Sequence, residues 1–368
     1  MTKFIKGMDL STLTEMQQCG AKYYDEGEET DILEIMHHYD VDTIRLRIWN
    51  DPTSESGKEY GAGNNSFENT LRIAKKVTKA GFNVLLNFHY SDFWADPGKQ
   101  IKPKAWKNYS VEELEKAVYD YTYNCMKKAI DEGVKVTMVQ IGNEITNGLL
   151  WPEGKMPNYD NIARFISAGI RASKAVAPNV KIMLHLDNGG NNKLYRNWFD
   201  NYIKRGEDFD IIGLSYYPFW HGTLDMLSAN MNDIAKRYGK DLIIAEVSMG
   251  HTMEDYAKYE KLDSSERKGC ATSEDLVSKI EYPMTVEGQA DFTLDFLNRV
   301  KNVEGGKGKG FFWWEPGWIP VQGSGWATES SLKYMNDPGP CGNEWANQAL
   351  FDYDGNALKA LKIIRDFT

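Results

Sequence analysis

One pattern constrains this chain more than any other: a strand-like run followed by a helix-like run, repeated eight times. Short runs rich in β-branched and aromatic residues, each bounded by turn residues, predict strands over residues 4–11, 43–49, 83–90, 137–144, 181–187, 210–217, 241–248 and 310–316. Each is followed by apolar residues at helical spacing. Ile32, Leu33, Met36 and Tyr39 share one face after the first, Leu71, Ala74, Val77 and Ala80 after the second, and Leu358, Leu361 and Ile364 after the last. Such alternation implies an α/β chain with a parallel sheet and helical crossovers. Eight units is the number that closes a (β/α)8 TIM barrel, and a chain of 368 residues fits one such barrel domain over 1–368. A doubly wound open sheet is the competing arrangement, but the turn after Asp9 reads Leu-Ser-Thr-Leu-Thr-Glu and lacks the GxGxxG phosphate turn.

The connections are lopsided. Those entering strands are short and carry glycine, as in Lys79-Ala80-Gly81, whereas those leaving strands are long: 50–67, 91–110, 146–159, 249–285 and 317–355. In a barrel these long segments are the βα loops at the C-terminal mouth, where active sites lie. The tryptophans concentrate there. Of 11, only Trp198 falls in a helical stretch, while Trp49, Trp94, Trp106, Trp151, Trp220, Trp313, Trp314, Trp318, Trp326 and Trp345 sit at strand ends or in the loops after them. Indole faces pack against the apolar C–H faces of sugar rings, and the indole N–H adds a donor. The net charge of −10 argues against a polyanion partner and suits a neutral substrate. No run approaches the ~18 apolar residues of a membrane span. The opening MTKFIKGMDLS has no apolar signal core, which leaves a cytoplasmic chain and an extracellular chain with its leader removed as alternatives. Cys19, Cys125, Cys270 and Cys341 form no CxxC or Cys/His cluster, so zinc is not expected; Cys270 and Cys341, both in late loops, are the pair open to a bridge.

Two glutamates close predicted strands, Glu144 on the fourth and Glu246 on the seventh. Burying two carboxyls is costly, and two carboxyls facing across a cleft are the machinery of glycoside hydrolysis. One, with a raised pKa, protonates the leaving oxygen; the other attacks the anomeric carbon or activates water. Spacing in sequence does not distinguish a retaining pair, about 5–5.5 Å apart, from an inverting pair at roughly 6.5–9.5 Å.

Asn143-Glu144 with Glu246 resembles clan A of the retaining glycoside hydrolases, and further stretches resemble the endo-β-1,4-galactanases of glycoside hydrolase family 53. These are Phe4-Ile5-Lys6-Gly7-Met8-Asp9-Leu10-Ser11, Arg45-Leu46-Arg47-Ile48-Trp49, His89-Tyr90-Ser91-Asp92-Phe93-Trp94-Ala95-Asp96-Pro97 and Gln140-Ile141-Gly142-Asn143-Glu144. They continue with His185-Leu186-Asp187-Asn188-Gly189, Ser215-Tyr216-Tyr217-Pro218, Trp313-Trp314-Glu315-Pro316 and Asn347-Gln348-Ala349-Leu350-Phe351-Asp352. The resemblance implies a monomeric enzyme with Glu144 as acid/base and Glu246 as nucleophile, acting on β-1,4-galactan without a required cofactor. Some members carry calcium in the loop after the seventh strand, where this chain offers Asp255, Asp263, Ser264, Ser265 and Glu266 without EF-hand spacing.

Other residues gain expected roles. Alternation over 43–49 puts Arg45 and Arg47 on the inward face, each in need of an anion; Glu246 and Asp9 are the candidates. The resemblance implies that Asn143 bonds the sugar 2-hydroxyl. His89, Asp92, His185, Asp187 and Asn188 are candidates for sugar contact or for a polar supporting network. Either Tyr216 or Tyr217 donates to the nucleophile. Trp314 is expected to stack on the cleaved sugar, with Trp94 and Trp318 flanking, and Glu315 is a rival carboxylate. Mannan, glucan and xylan remain alternative substrates on physical grounds, as does a non-catalytic glycan-binding barrel. A Schiff-base barrel needs a strand lysine at the mouth, and Lys6 and Lys181 lie at strand starts.

Overall fold

The computed structural model describes residues 3–255 and 271–368. Eight parallel strands close into a barrel: β1 (Ile5–Asp9), β2 (Thr43–Ile48), β3 (Asn83–Phe88), β4 (Val136–Ile141), β5 (Lys181–Leu186), β6 (Ile211–Tyr216), β7 (Asp241–Val247) and β8 (Gly308–Trp313). Each strand pairs with its sequence neighbours, and β8 closes the ring against β1 with Ile5 opposite Gly310 and Met8 opposite Trp313. The crossover helices are Ile32–His38, Phe67–Lys79, Val111–Asp131, Tyr159–Val176, Asn192–Tyr202, Leu224–Tyr238, Val286–Lys301 and Lys359–Asp366. Their starts follow from local chemistry. Asp31, Ser66, Ser110, Asn158, Asn191, Thr223 and Thr285 each accept a first-turn backbone N–H, satisfying a donor that the helix itself leaves unpaired.

Two apolar layers hold the barrel. The larger lies between strands and helices. The smaller plugs the interior with Leu85, Met138, Met183, Ile211, Ile243, Ala245 and Phe312. Gly7 belongs to this plug by lacking a side chain: a Cβ there would come within 2.3 Å of the Phe312 ring. The apolar plug fills the lower barrel, and Asp9, Arg45, Arg47 and Glu246 line the cleft above it.

The strands end earlier than the alternation predicts. The third stops at Phe88 and not residue 90, the fourth at Ile141 and not 144, the eighth at Trp313 and not 316. The residues beyond leave the ladder in left-handed conformations: Tyr90 (φ 52°), Glu144 (φ 45°), Asn188 (φ 54°) and Glu315 (φ 43°). For non-glycine residues this costs on the order of 1 kcal/mol or more each, and it clusters where side chains must be re-aimed into the mouth.

Candidate active site

The reach of Glu246 into the barrel depends on a bulge. Ile243 and Ala245 face the interior plug, so strict alternation sends Glu246 outward. The register with β6 instead slips, from Leu214 opposite Ile244 to Ser215 opposite Glu246, and a matching slip occurs against β8. The extra residue turns Glu246 inward beside Ser215. Glu144 reaches the same space differently, from a left-handed residue three positions beyond the end of β4.

Both carboxyls line a cleft of about 180 Å³ with Asp9, Arg45, Arg47, Asn87, His89, Asn143, Tyr217 and a wall of Trp94, Trp314, Trp326 and Trp345. Glu246 is held from two sides. Arg45 Nη2 donates to its Oε1 at 2.9 Å and the Tyr217 hydroxyl to its Oε2 at 2.8 Å. Among the described residues no cation pairs with Glu144; its Oε1 accepts from the Ser215 hydroxyl at 2.6 Å. The pKa consequences differ accordingly. Burial, followed by the charges of Glu246 and Asp187, pushes Glu144 well above the ordinary carboxylic range, with the Ser215 hydroxyl opposing. Burial also raises Glu246, but Arg45 and Tyr217 both pull it back, so of the two it is the carboxyl more readily ionised.

The two arginines divide the remaining anions. Arg45 bridges Asp9 (2.8 Å) and Glu246, while Arg47 pairs with Glu315 (2.5 Å). Glu315, the rival carboxylate, is engaged below the cleft by Arg47 and by the Thr12 hydroxyl at 2.6 Å; burial raises its pKa to about 7 despite Arg47. Asn143 Oδ1 accepts from Arg45 at 2.9 Å, and its amide donates to the Ala95 carbonyl at 3.0 Å. His89 lines the cleft, and its Nδ1 accepts from the Ala95 N–H at 3.2 Å; burial, then Arg47 and Arg45, hold its pKa well below the usual value.

Several expected residues lie elsewhere. Tyr216 points out of the barrel, donating to the Gly222 carbonyl at 2.9 Å and stacking on Phe292, so of the adjacent pair Tyr217 is the donor to Glu246. Trp318 is fully buried, bonds Ser324 and backs Trp314 at 5.6 Å between centroids, so it does not flank a sugar. Asp92 braces two loops by accepting the Asp51 and Lys104 backbone N–H groups. Asn188 donates to Asp187, which also accepts from Thr146. His185 is buried beneath the site and bonds Ser215. Among the described residues no group of three or more His, Cys, Asp or Glu is placed to hold a metal ion; Asp263, Ser264, Ser265 and Glu266, and Cys270 of the Cys270–Cys341 pair, lie outside the described residues.

Sequence reasoning passed over Gln140, Ser215 and Trp345 as individual residues. Gln140 is a polar residue following Met138 on the inward face of its strand, which is a usable signal. Nothing local separates Trp345, 4.7 Å from Trp314, from the other loop tryptophans.

A sequence model of glycosyl hydrolase family 53 matches residues 5–364. The chain belongs to glycosyl hydrolase family 53. It is 36% identical to an endo-β-1,4-galactanase of Bacillus subtilis over 98% of this chain and 85% of that protein. It is 32% identical to an arabinogalactan endo-β-1,4-galactanase of Humicola insolens, covering 97% and 98% of the two chains. Among solved structures, the family 53 catalytic domain of Ignisphaera aggregans superposes with a TM-score of 0.90 at 41% identity, covering 99% of this chain and 96% of that one. The family 53 barrel is thus a glycoside hydrolase, and no helix among its described residues is long and apolar enough to cross a membrane.

Proposed function

We propose that this family 53 barrel is a monomeric, single-domain, retaining endo-β-1,4-galactanase that hydrolyses galactan and type I arabinogalactan. The observation that carries the assignment of roles is the unequal treatment of two buried carboxyls. Glu246 is held by a guanidinium and a phenol, as a nucleophile must be to stay ionised; Glu144 pairs with no cation among the described residues and is raised further, as a proton donor must be. The galactan specificity rests on the names of the relatives.

The chemistry follows from these environments. Glu246 attacks the anomeric carbon while Glu144 gives its proton to the departing glycosidic oxygen, forming a galactosyl ester on Glu246. Esterification removes the charge on Glu246, which is the largest charge contribution raising Glu144. The pKa of Glu144 therefore falls after the first step, and the same residue becomes the base that takes a proton from the incoming water. Tyr217 and Arg45 release hydrogen bonds as negative charge leaves Glu246 and regain them as it returns. Asn143, locked by Arg45 and Ala95, is placed for the sugar 2-hydroxyl, and Trp314 and Trp345 form an aromatic wall for the ring.

Glu246→Ala and Glu144→Gln are expected to lower turnover of potato galactan by several orders of magnitude, measured by reducing-sugar release. Near-normal activity in either variant refutes the role given to that residue. NMR of the first-formed product should show the β-anomer. A panel of galactan, mannan, glucan and xylan tests the substrate, and preference for any other glycan overturns galactan.

A further inference from the structure

We propose that Gln140, His185 and Ser215 are positioning residues that commit Oε1 of Glu144 to accepting a hydrogen bond, so that the catalytic proton rides on Oε2. This rests on the acid/base role proposed for Glu144. The polarity of the chain can be followed from a group that only donates. Arg45 Nε donates to Gln140 Oε1 at 3.1 Å, and a guanidinium has no acceptor, so the orientation of the Gln140 amide is settled. Its Nε2 is then the atom that faces His185 Nδ1 at 3.0 Å. The backbone N–H of Glu144 points at the same Nδ1 from 3.5 Å. Gln140 Nε2 shares its two hydrogens among His185 Nδ1, Asn143 Oδ1 at 3.0 Å and the Gly142 carbonyl at 2.9 Å, whereas the Glu144 N–H can only donate, so Nδ1 presents its lone pair. Asn143 Oδ1 also lies 3.2 Å from Nδ1, but that oxygen is already occupied by Arg45 Nη2 (2.9 Å), Gln140 Nε2 (3.0 Å) and Asn87 Nδ2 (3.1 Å).

His185 is fully buried near Arg45, His89 and His221, which keeps it neutral, so its single hydrogen sits on Nε2. Nε2 lies 2.8 Å from Ser215 Oγ and donates to it. Ser215, its lone pair engaged, turns its own proton onto Glu144 Oε1 at 2.6 Å. The chain thus runs one way, from Arg45 through Gln140, His185 and Ser215 to Glu144. Its origin is the guanidinium that also binds Glu246 through Nη2, so one cation orients both carboxyls. An oxygen that receives a hydroxyl proton throughout the cycle is a poor seat for a second one, which leaves Oε2 as the donor to the leaving group and, after glycosyl transfer, as the base toward water. Ser215 also favours the charged form of Glu144, opposing burial and the charges of Glu246, Asp187 and Asp96.

Two measurements test this. In the wild-type enzyme with ¹⁵N-labelled histidine, His185 should show a protonated Nε2 and a pyridine-like Nδ1 from pH 5 to 8; a protonated Nδ1 reverses the chain and overturns the proposal. In Ser215→Ala, loss of the donor should raise the pKa of Glu144, moving the basic limb of the kcat/KM profile upward by about one pH unit. The acid limb and KM should change little, and Ser215→Thr should restore the wild-type profile. An unmoved basic limb in a folded Ser215→Ala enzyme refutes the proposal. If that variant does not melt cooperatively, the wild-type tautomer decides alone. Glu144→Gln separates the two levels of argument. If it retains activity, the acid/base role fails and the chain with it; if it is inactive while Ser215→Ala leaves the basic limb in place, only the chain fails.

Discussion

Replacing Arg45 by Met probes the charge balance on which the site depends. The Arg45 side chain is 1% exposed and makes contacts of 2.8 Å to Asp9, 2.9 Å to Glu246, 2.9 Å to Asn143 and 3.1 Å to Gln140. Met has similar length and fills most of the volume, so the effect is electrostatic more than steric. Asp9 keeps Ser11 and a longer contact to Arg47 at 3.7 Å, but among the described residues Glu246 keeps only Tyr217. Removing one partner of a buried ion pair costs about 3–5 kcal/mol, because the other charge stays desolvated and uncompensated. This penalty has a pH signature. Burial already raises the Glu246 carboxyl, and losing Arg45 raises it further, so the folded variant takes up a proton at higher pH than the unfolded chain does. Stability relative to wild type is therefore lowest at alkaline pH and recovers as pH falls below the variant's raised pKa, by up to about 1.4 kcal/mol per pH unit until the wild-type Glu246 carboxyl also protonates. Urea unfolding of wild type and Arg45→Met at pH 8 and pH 5.5, with equal m-values, reads the deficit at each. A deficit equal at both pH values would mean lost packing, and the charge argument would be refuted. Combining Arg45→Met with Glu246→Gln should be less destabilising at pH 8 than Arg45→Met alone.

Tyr217→Phe removes the 2.8 Å bond to Glu246 Oε2 without changing the ring; kcat/KM should fall about 10–100-fold and its acid limb should move upward, since the nucleophile loses a donor that favours its charged form. An unchanged acid limb would count against that bond. Gly7→Ala should destabilise the fold by about 1–3 kcal/mol in urea, because the added methyl meets the Phe312 ring at 2.3 Å and the Phe311 carbonyl at 2.7 Å. A variant as stable as wild type would show that the interior plug can yield.

Barrel architecture was readable because it is written in short-range periodicity. β-branched runs and helical apolar stripes act over a turn or a strand, and eight repeats of one unit leave few ways to close a sheet. The lopsided loops pointed to the functional end for the same reason. The inward facing of Arg45 and Arg47 was also a matter of alternation along one strand. The motif resemblance led to the family, and Glu144 and Glu246 could be singled out as strand-end carboxyls.

What lay beyond local pattern was how those side chains meet. Alternation within β7 sends Glu246 to the wrong face; the register slip against β6 and β8 turns it back, and such a slip is a property of three strands together. Tyr216 and Tyr217 are adjacent and alike in sequence, yet one packs on Phe292 and the other bonds Glu246. Trp318 and Trp345 are both loop tryptophans, yet one is sealed under Trp314 and the other lines the cleft. The division of two arginines among Asp9, Glu246 and Glu315 was left open by composition and spacing alike. Periodicity reports which face a residue takes on its own element, whereas hydrogen-bond partners and pKa depend on distances of a few ångströms between strands hundreds of positions apart, as with Arg45 and Glu246 at about 200. Those distances exist only once the barrel is closed.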